Sequence, residues 1–155
     1  MELDAFDRRL LDALQQDCRR TGDQLAEIVG LSPAACLRRA QRLREAGVIE
    51  REVAILAPAA LGGLMSVIVL VTLERDRPDV VDGFHRTMAR ADEVQQCYSI
   101  TGTFDVALVV AVPDMDAYND FIKRNLRNKP VHRFETMVVL ERLKFTTAVP
   151  IADAT

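Results

Sequence analysis

The spacing of apolar residues changes about a third of the way along the chain, and this change predicts two domains of different kinds. In the first part apolar residues recur at helical spacing, as Phe6, Leu10 and Leu14 do. In the second part short apolar runs, such as VIVLV at 67–71, have the length of buried strands. A segment of small residues, APAALGG, separates the two patterns. The sequence therefore predicts a helical domain with a hinge strand over residues 1–56, a linker over 57–63, a mixed domain over 64–145 and a tail over 146–155.

Three helices joined by tight turns are predicted in the first domain. They cover about residues 4–16, 21–30 and 32–47. Thr21 and Gln24 form a capping-box pattern, and Ser32 followed by Pro33 is a typical helix start. Because little more than Gly30 separates the second helix from the third, the spacing is that of a helix-turn-helix. The residues VIEREVAIL that follow predict an extended strand.

The second domain shows strands and helices in the order βαββαβ, which is the ferredoxin-like pattern. Strands are predicted at 64–74, 94–100, 106–112 and 134–143. One helix follows the segment RDRP and carries Val81, Phe84 and Met88 on one face, and the other opens at Pro113 and Asp114. The sequence shows no internal repeat, so we expect an α+β protein with two unlike domains.

The third helix concentrates positive charge in a chain whose net charge is −3. Residues 32–51 contain five arginines against two glutamates. A recognition helix enters the major groove of DNA with its N-terminal turn first, where small side chains allow close approach and can contact thymine methyl groups. The free N–H groups of that turn can bind a phosphate. The sequence therefore predicts DNA contacts from the small residues Ser32, Pro33, Ala34 and Ala35 and from the arginines Arg38, Arg39, Arg42 and Arg44.

These arginines suit different contacts. Arg38 is placed to reach a guanine edge or a phosphate, whereas Arg42 and Arg44 suit phosphates. The alternative is a solvated basic helix of a small bundle, with Cys36 and Leu43 facing its core. The helix-turn-helix spacing and the Ser-Pro start favour DNA.

Composition disfavours several other classes of protein. With 49% hydrophobic and 28% charged residues, the chain is an ordinary globular protein. No apolar run approaches the roughly 18 residues of a membrane span, and the acidic N-terminus lacks the apolar core of a signal peptide. We therefore expect a cytoplasmic protein with no membrane partner. Cys18, Cys36 and Cys97 have no metal-ligand spacing, so we expect reduced thiols, no metal and no cofactor.

Four segments resemble the Lrp/AsnC family of transcriptional regulators, also called feast/famine regulators: FDRRLLDALQQDCR, LAEIVGLSPAACLRRAQRLREAGVIE, CYSITGTFDVALVVAVPDMDAY and TMVVLERLK. The resemblance implies an N-terminal winged helix-turn-helix and a C-terminal ferredoxin-like βαββαβ effector domain. It implies homodimers whose sheets pack face to face, often assembled into octamers. It also implies that amino acids or related metabolites bind between dimers, and that the strand from Glu50 to Leu56 pairs with its two-fold mate as a hinge.

The same resemblance implies the residues of the effector site. The family's Gly-x-x-Asp loop matches Gly102 to Asp105, where backbone N–H groups suit a carboxylate and Asp105 suits an ammonium group. Thr103 stands where many members carry an acidic residue. The implied effector-binding residues are Thr101, Gly102, Thr103, Phe104, Asp105, Met115, Thr136, Met137 and Val138. Without the resemblance, the loop would be interpreted as a β-turn whose aspartate caps backbone N–H groups.

Two rival functions remain open. Siroheme decarboxylases are similar in architecture, and a tetrapyrrole site would need histidines, of which the chain has His85 and His132. Both histidines fit surface or strand-end positions better, and we find no Ser/His/Asp set or phosphate loop, so we expect no catalytic residues and no enzyme. A metabolite sensor without DNA binding is the second rival. The favoured function is a sequence-specific DNA-binding transcriptional regulator whose assembly or DNA affinity responds to an amino acid or a related metabolite.

Overall fold

The computed structural model describes residues 2–74, 78–127 and 130–151. Contacts within these ranges divide the chain into two compact units. The helical unit contains the residues up to Ile55 together with the C-terminal segment from Lys144, and the sheet unit runs from Leu56 to Leu143. The described part of the predicted tail therefore belongs to the helical unit. Its last four residues, like most of the segment RDRP, lie outside the described residues.

The helical unit contains α1 (Ala5–Gln16), α2 (Gly22–Val29) and α3 (Pro33–Glu45). Each helix begins after a side chain that accepts a hydrogen bond from an N–H group of the first turn, and these caps are Asp4, Thr21 and Ser32. The second helix ends at Gly30, whose φ of 79° is a left-handed conformation that glycine adopts without strain. The predicted helix-turn-helix is confirmed, with helix ends within about two residues of those expected.

One face of each helix forms the core of the helical unit. The buried apolar residues are Leu10, Ala13, Leu14, Leu25, Val29, Cys36, Ala40 and Leu43. The inward face predicted for the third helix is among them. Gln15 of α1 binds the C-terminal segment at two points: its side chain donates to the carbonyl oxygen of Val149 at 3.1 Å and accepts from the N–H of Val149 at 3.0 Å.

The sheet unit has the predicted βαββαβ order. Its elements are β1 (Met65–Leu73), α4 (Pro78–Met88), β2 (Val94–Ser99), β3 (Val106–Val112), α5 (Met115–Asn125) and β4 (Val131–Val138). A short 3-10 helix, Pro58–Leu61, lies in the predicted linker. The four strands are antiparallel to their neighbours in the order β2-β3-β1-β4, so the first and third strands lie at the centre. The expected α+β fold is confirmed.

The two faces of this sheet have different environments. Alternate residues of the central strands, such as Val69 and Leu108, are fully buried beside Phe84 of α4 and Phe121 of α5. On the opposite face, Ile68, Tyr98 and Met137 are 36%, 52% and 44% exposed. We call this second surface the open face.

Two predicted strands differ from those observed. The last strand covers Val131–Val138 rather than residues 134–143 because it extends only where β1 offers a partner, and Val138 pairs with Val67 near the start of β1. In the described part of the chain no strand forms over residues 48–56. A strand needs a neighbour for its N–H and C=O groups, and Val53 and Ile55 are 63% and 61% exposed. Pairing of this segment with a two-fold mate stays a prediction.

Candidate functional site

The first turn of α3 presents a small, exposed surface. Ser32 caps the helix by accepting a hydrogen bond from the N–H of Ala35 at 3.3 Å, and Pro33 occupies the first turn. Ser32, Pro33 and Ala34 are exposed, while Ala35 is half-buried. No large side chain extends from this turn, so a flat polymer surface can approach its backbone closely.

Two of the predicted DNA-binding arginines form ion pairs with a buried carboxylate of α1. Asp7 is 1% exposed. Its Oδ1 accepts from the Arg39 Nη1 at 2.8 Å, and its Oδ2 accepts from the Arg42 Nη2 at 2.7 Å. A buried carboxylate needs such cations because its desolvation is costly. Arg39 and Arg42 therefore fasten α3 to α1.

Arg39 also pairs with the cap of α1. Its guanidinium lies 2.8 Å from the Oδ2 of Asp4. The hydrogen bonds to Asp4 and Asp7 raise the pKa of Arg39. The pKa of the Asp4 carboxyl is lowered, first by the backbone N–H of Asp7 and then by Arg39.

The other two arginines have different surroundings. Arg44 pairs with Glu52 at 2.7 Å, and its side chain is 34% exposed. Arg38 is exposed, and in the described part of the chain no ion pair or hydrogen bond engages its side chain. Among the four predicted arginines, Arg38 thus has the most freedom to contact another molecule.

The predicted effector loop is fixed to the end of β1. Gly102 has a φ of +116°, which side chains rarely adopt, so the turn requires glycine there. The Oδ2 of Asp105 accepts from the N–H of Leu73 at 2.9 Å, and the N–H of Asp105 donates to the carbonyl oxygen of Val71 at 2.9 Å. Within the described ranges, the N–H groups of Gly102 and Thr103 donate to no backbone carbonyl oxygen. These are the backbone donors that the sequence analysis expected to bind the carboxylate of an effector.

A cleft of about 340 Å³ opens beside Asp105. Its lining residues are Leu73, Val81, Asp82, His85, Ser99, Ile100 and Asp105. Apolar side chains and two carboxylates thus share one concave surface, which suits a molecule with an ammonium group and an apolar part. We call it the aspartate cleft.

His85, which the sequence analysis assigned to a surface position, is less exposed than expected. The residue is half-buried and lines the aspartate cleft. Its Nε2 atom is buried, and no hydrogen-bond partner for it lies in the described part of the chain. Its spacing from Val81 is one helical turn, and this spacing was the sequence signal that could have placed both residues at the cleft.

The remaining predicted effector residues lie away from the loop. Thr136 of β4 faces α5, with its Oγ1 2.7 Å from the hydroxyl of Tyr118. Met137, the next residue, lies on the open face, while Val138 is 43% exposed. Met115 follows the end of β3 that is farthest from the loop, about 20 Å away at roughly 3.3 Å per residue. A single chain therefore does not bring Met115 and Thr136 to Asp105.

The described residues form neither a metal-binding cluster nor a membrane-spanning helix. Among them, no group of three or more His, Cys, Asp or Glu side chains is placed to hold a metal ion. None of the described helices combines the length and the hydropathy that a membrane crossing requires. The cysteines are free thiols: Cys18 is exposed, Cys36 is buried, and burial raises the pKa of the Cys97 thiol.

Both units match families of known proteins. Residues 3–50 match winged helix-turn-helix DNA-binding domains, and residues 66–149 match the Lrp/AsnC ligand binding domain. The second match covers more than half of the chain.

Three individual proteins show the same likeness over nearly the whole chain. An HTH-type transcriptional regulator of Sinorhizobium fredii is 47% identical over 97% of this chain and 90% of its own length. The leucine-responsive regulatory protein of Escherichia coli is 39% identical over 92% of this chain and 88% of its own length. A crystal structure of a Neisseria meningitidis transcriptional regulator in complex with L-Met has a TM-score of 0.88 and 31% identity, and covers 96% of this chain and 97% of that one.

Proposed function

The chain belongs to the Lrp/AsnC family of DNA-binding transcriptional regulators, and from this premise we propose which of its residues contact DNA and where its effector binds. The first turn of α3 and Arg38 contact DNA, and an amino acid binds in the aspartate cleft. The observation that carries this proposal is the contrast among the arginines of α3: Arg38 is exposed and unengaged in the described ranges, while Arg39 and Arg42 hold a buried carboxylate.

The DNA contact rests on the shape and charge of α3. The small residues Ser32, Pro33, Ala34 and Ala35 let the start of the helix enter the major groove. Arg38 lies farther along the helix and reaches a base edge or a phosphate. Arg44, in its pair with Glu52, is a phosphate contact at most, because the carboxylate competes for its guanidinium. Arg39 and Arg42 act mainly by positioning α3.

The effector proposal rests on the chemistry of the aspartate cleft. The carboxylates of Asp82 and Asp105, which line the cleft, attract the ammonium group. The N–H groups of Gly102 and Thr103, in the loop that leads to Asp105, attract the carboxylate, since no backbone oxygen of the described ranges accepts from them. Leu73, Val81 and Ile100 provide apolar surface for the side chain. One relative is named as leucine-responsive and another was crystallised with L-Met, so we place these two apolar amino acids first among the candidates.

Assembly of several chains completes this proposal. Met115 lies about 20 Å from the loop of its own chain, at roughly 3.3 Å per residue. Thr136 contacts Tyr118 of α5, and Met137 lies on the open face. These residues and Val138 therefore shape the effector site if another chain brings them near its loop. The open face is apolar around Ile68 and Met137, and it suits a second copy packed sheet against sheet. We therefore propose a homodimer, with octamers formed from dimers, that acts in the cytoplasm where its DNA lies.

The enzyme alternative receives less support. The relatives are named as transcriptional regulators. A tetrapyrrole would need a larger apolar volume than the aspartate cleft provides, since that cleft measures about 340 Å³ and is lined in part by two carboxylates. We propose that the chain is a regulator without catalytic activity of its own.

A thermal-shift panel of the twenty amino acids tests the effector proposal. A ligand at about 100 times its dissociation constant stabilises the folded state by roughly 2.7 kcal/mol. We expect leucine, methionine or a similar apolar amino acid to raise the melting temperature of the wild type and not that of Asp105→Asn. The variant keeps an acceptor for the N–H of Leu73 but loses the charge. An equal shift in both proteins would place the effector elsewhere.

A further inference from the structure

A second cavity of about 400 Å³ lies between the ends of α4 and α5. Its lining includes Gly83, Arg86, Thr87, Arg90, Arg124 and Asn125. It shares no lining residue with the aspartate cleft. We call it the arginine cavity. A role for this cavity goes beyond the proposed function, because neither the DNA contact nor the aspartate cleft uses these residues.

The arginine cavity carries positive charge that the described residues do not neutralise. Arg124 pairs with Glu93. No carboxylate of the described ranges lies within ion-pair distance of Arg86 or Arg90. Two guanidinium groups without a carboxylate partner among the described residues thus line one concave surface of a chain whose net charge is −3. Like charges gathered in a cavity favour an anion there.

A buried amide adds a hydrogen-bond donor to the same surface. Asn125 is 7% exposed, and its Nδ2 makes no hydrogen bond with any described residue. Nearly all buried donors in proteins have an acceptor. Inside a cavity that also contains three guanidinium groups, the missing acceptor is most simply an oxygen atom of a bound anion.

The local backbone directs Arg86 toward this cavity. A Cβ atom built on Gly83 would lie 4.0 Å from an Nη atom of Arg86, so the guanidinium folds back along α4 over the glycine. Thr87 takes no part as a donor, since its hydroxyl donates to the carbonyl oxygen of Gly83 at 2.9 Å. The donors left for a ligand are therefore the arginines and Asn125.

We propose that the arginine cavity binds a small phosphate-bearing molecule or a similar multivalent oxyanion. Guanidinium groups pair with phosphate oxygens through two parallel hydrogen bonds, which fits Arg86 and Arg90 around one site, with Arg124 beside them in its pair with Glu93. The volume of about 400 Å³ is that of a metabolite pocket rather than of a surface track for a polymer. The regulator thus has a second ligand site, selective for charge, separate from the amino acid cleft.

Calorimetric titration of the full chain with pyrophosphate tests this proposal. We expect saturable binding of one pyrophosphate per chain in the wild type. The double variant Arg86→Gln/Arg90→Gln should bind about 100-fold more weakly, at about tenfold for each lost charged hydrogen-bond donor. Arg127→Gln is the matched control, because Arg127 is exposed at the end of α5 and does not line the cavity. It should bind as the wild type does.

Other outcomes would overturn the proposal. The absence of saturable binding in the wild type would do so. An equal loss in Arg127→Gln would show diffuse attraction to a basic surface rather than a site. If pyrophosphate fails to bind while the double variant loses affinity for duplex DNA with a smaller salt dependence, the arginines contact DNA phosphates instead. Both arginines are exposed, so melting temperatures equal to that of Arg127→Gln will show that folding is intact.

Discussion

The two units place their candidate site residues in different ways. In the helical unit, all the predicted DNA-binding residues lie between Ser32 and Arg44, on the cap and successive turns of one helix. In the sheet unit, the predicted effector residues come from a loop, from the start of α5 and from an edge strand. A helix fixes its surface by its own period, whereas a sheet site depends on strand order and on neighbouring chains. Under the proposed function, the effector site therefore depends on assembly in a way that the DNA site does not.

Among the substitutions that test this difference between the units, Ile68→Lys should have the largest effect, on assembly and on the amino acid response. Ile68 lies on the open face at 36% exposure, and a charge there opposes burial against a second sheet. We expect Ile68→Lys to sediment as a monomer and to lose the amino acid response, because Met115 and Met137 of another chain no longer reach the loop.

Ile28→Lys, in the helical unit at 46% exposure, is the matched control and should keep the assembly of the wild type. A monomeric Ile68→Lys that still responds to the amino acid would contradict the difference between the units. It would mean that the aspartate cleft of one chain is sufficient.

The buried ion pairs of the helical unit join residues that are far apart in the sequence. Asp7 lies 32 and 35 positions before its partners Arg39 and Arg42. The double variant Arg39→Ala/Arg42→Ala leaves this carboxylate buried without a cation. We expect a loss of about 3 kcal/mol in the free energy of unfolding, the lower end for a broken buried pair, since Arg42 is 49% exposed. Urea denaturation followed by circular dichroism measures it.

Adding Asp7→Ala to this double variant removes the stranded charge and should restore part of the stability. If the double variant unfolds at the urea concentration of the wild type, Arg39 and Arg42 have no structural role. They would then be as available for DNA as the sequence prediction assumed.

The sequence predicts features that depend on neighbouring residues better than features that depend on pairing with distant ones. Helix caps and apolar periodicity are local, so the bounds of α1, α2 and α3 could be predicted closely. The last strand could not, because its length is set by pairing with β1 rather than by the apolar run that continues to Leu143. Leu140 is 99% exposed although the sequence pattern placed it in a strand.

Long-range charge pairs were missed for the same reason, although one left a signal. Asp7 occupies the apolar stripe of α1, three residues before Leu10 and seven before Leu14. A carboxylate at such a position predicts a buried ion pair. The sequence does not say which arginine supplies the cation, because that depends on how α1 and α3 pack.

A smaller effect is expected when Arg38 is changed to alanine. Arg38 is exposed and unengaged in the described part of the chain, so the folded state should keep its stability. Loss of a base contact should weaken operator binding by about 1–3 kcal/mol and relax preference at one base pair. Gel shifts over a series of salt concentrations measure both.

The result discriminates between two roles of Arg38. A uniform loss on all sequences, with a smaller salt slope, would identify a phosphate contact. Arg9→Ala, on the first helix, is a control that should leave DNA binding unchanged. Equal losses for both variants would mean that general charge, not the position on α3, governs the DNA contact.

The smallest effect concerns the pH dependence of the cap of α1. The pKa of Asp4 is lowered by the N–H of Asp7 and by Arg39, so ionised Asp4 stabilises the folded state. This stabilisation is complete above the ordinary value of 3.8 and is lost as the pH falls through the lowered pKa. Asp4→Asn keeps a good cap but removes the charge. It should lower the melting temperature slightly at neutral pH, and the difference from the wild type should vanish in acid.

The cap of α5 in the sheet unit supplies the matched control. Asp114 accepts from the N–H of Ala117 at 2.8 Å, and no arginine of the described ranges pairs with it. Because Asp114→Asn removes no ion pair of the described ranges, we expect it to lower the melting temperature at neutral pH less than Asp4→Asn does. Equal behaviour of the two variants would assign the effect to the dipole of any helix start. A stronger effect at Asp4 would show that the ion pairs between α1 and α3 extend from the buried Asp7 to the surface of the helical unit.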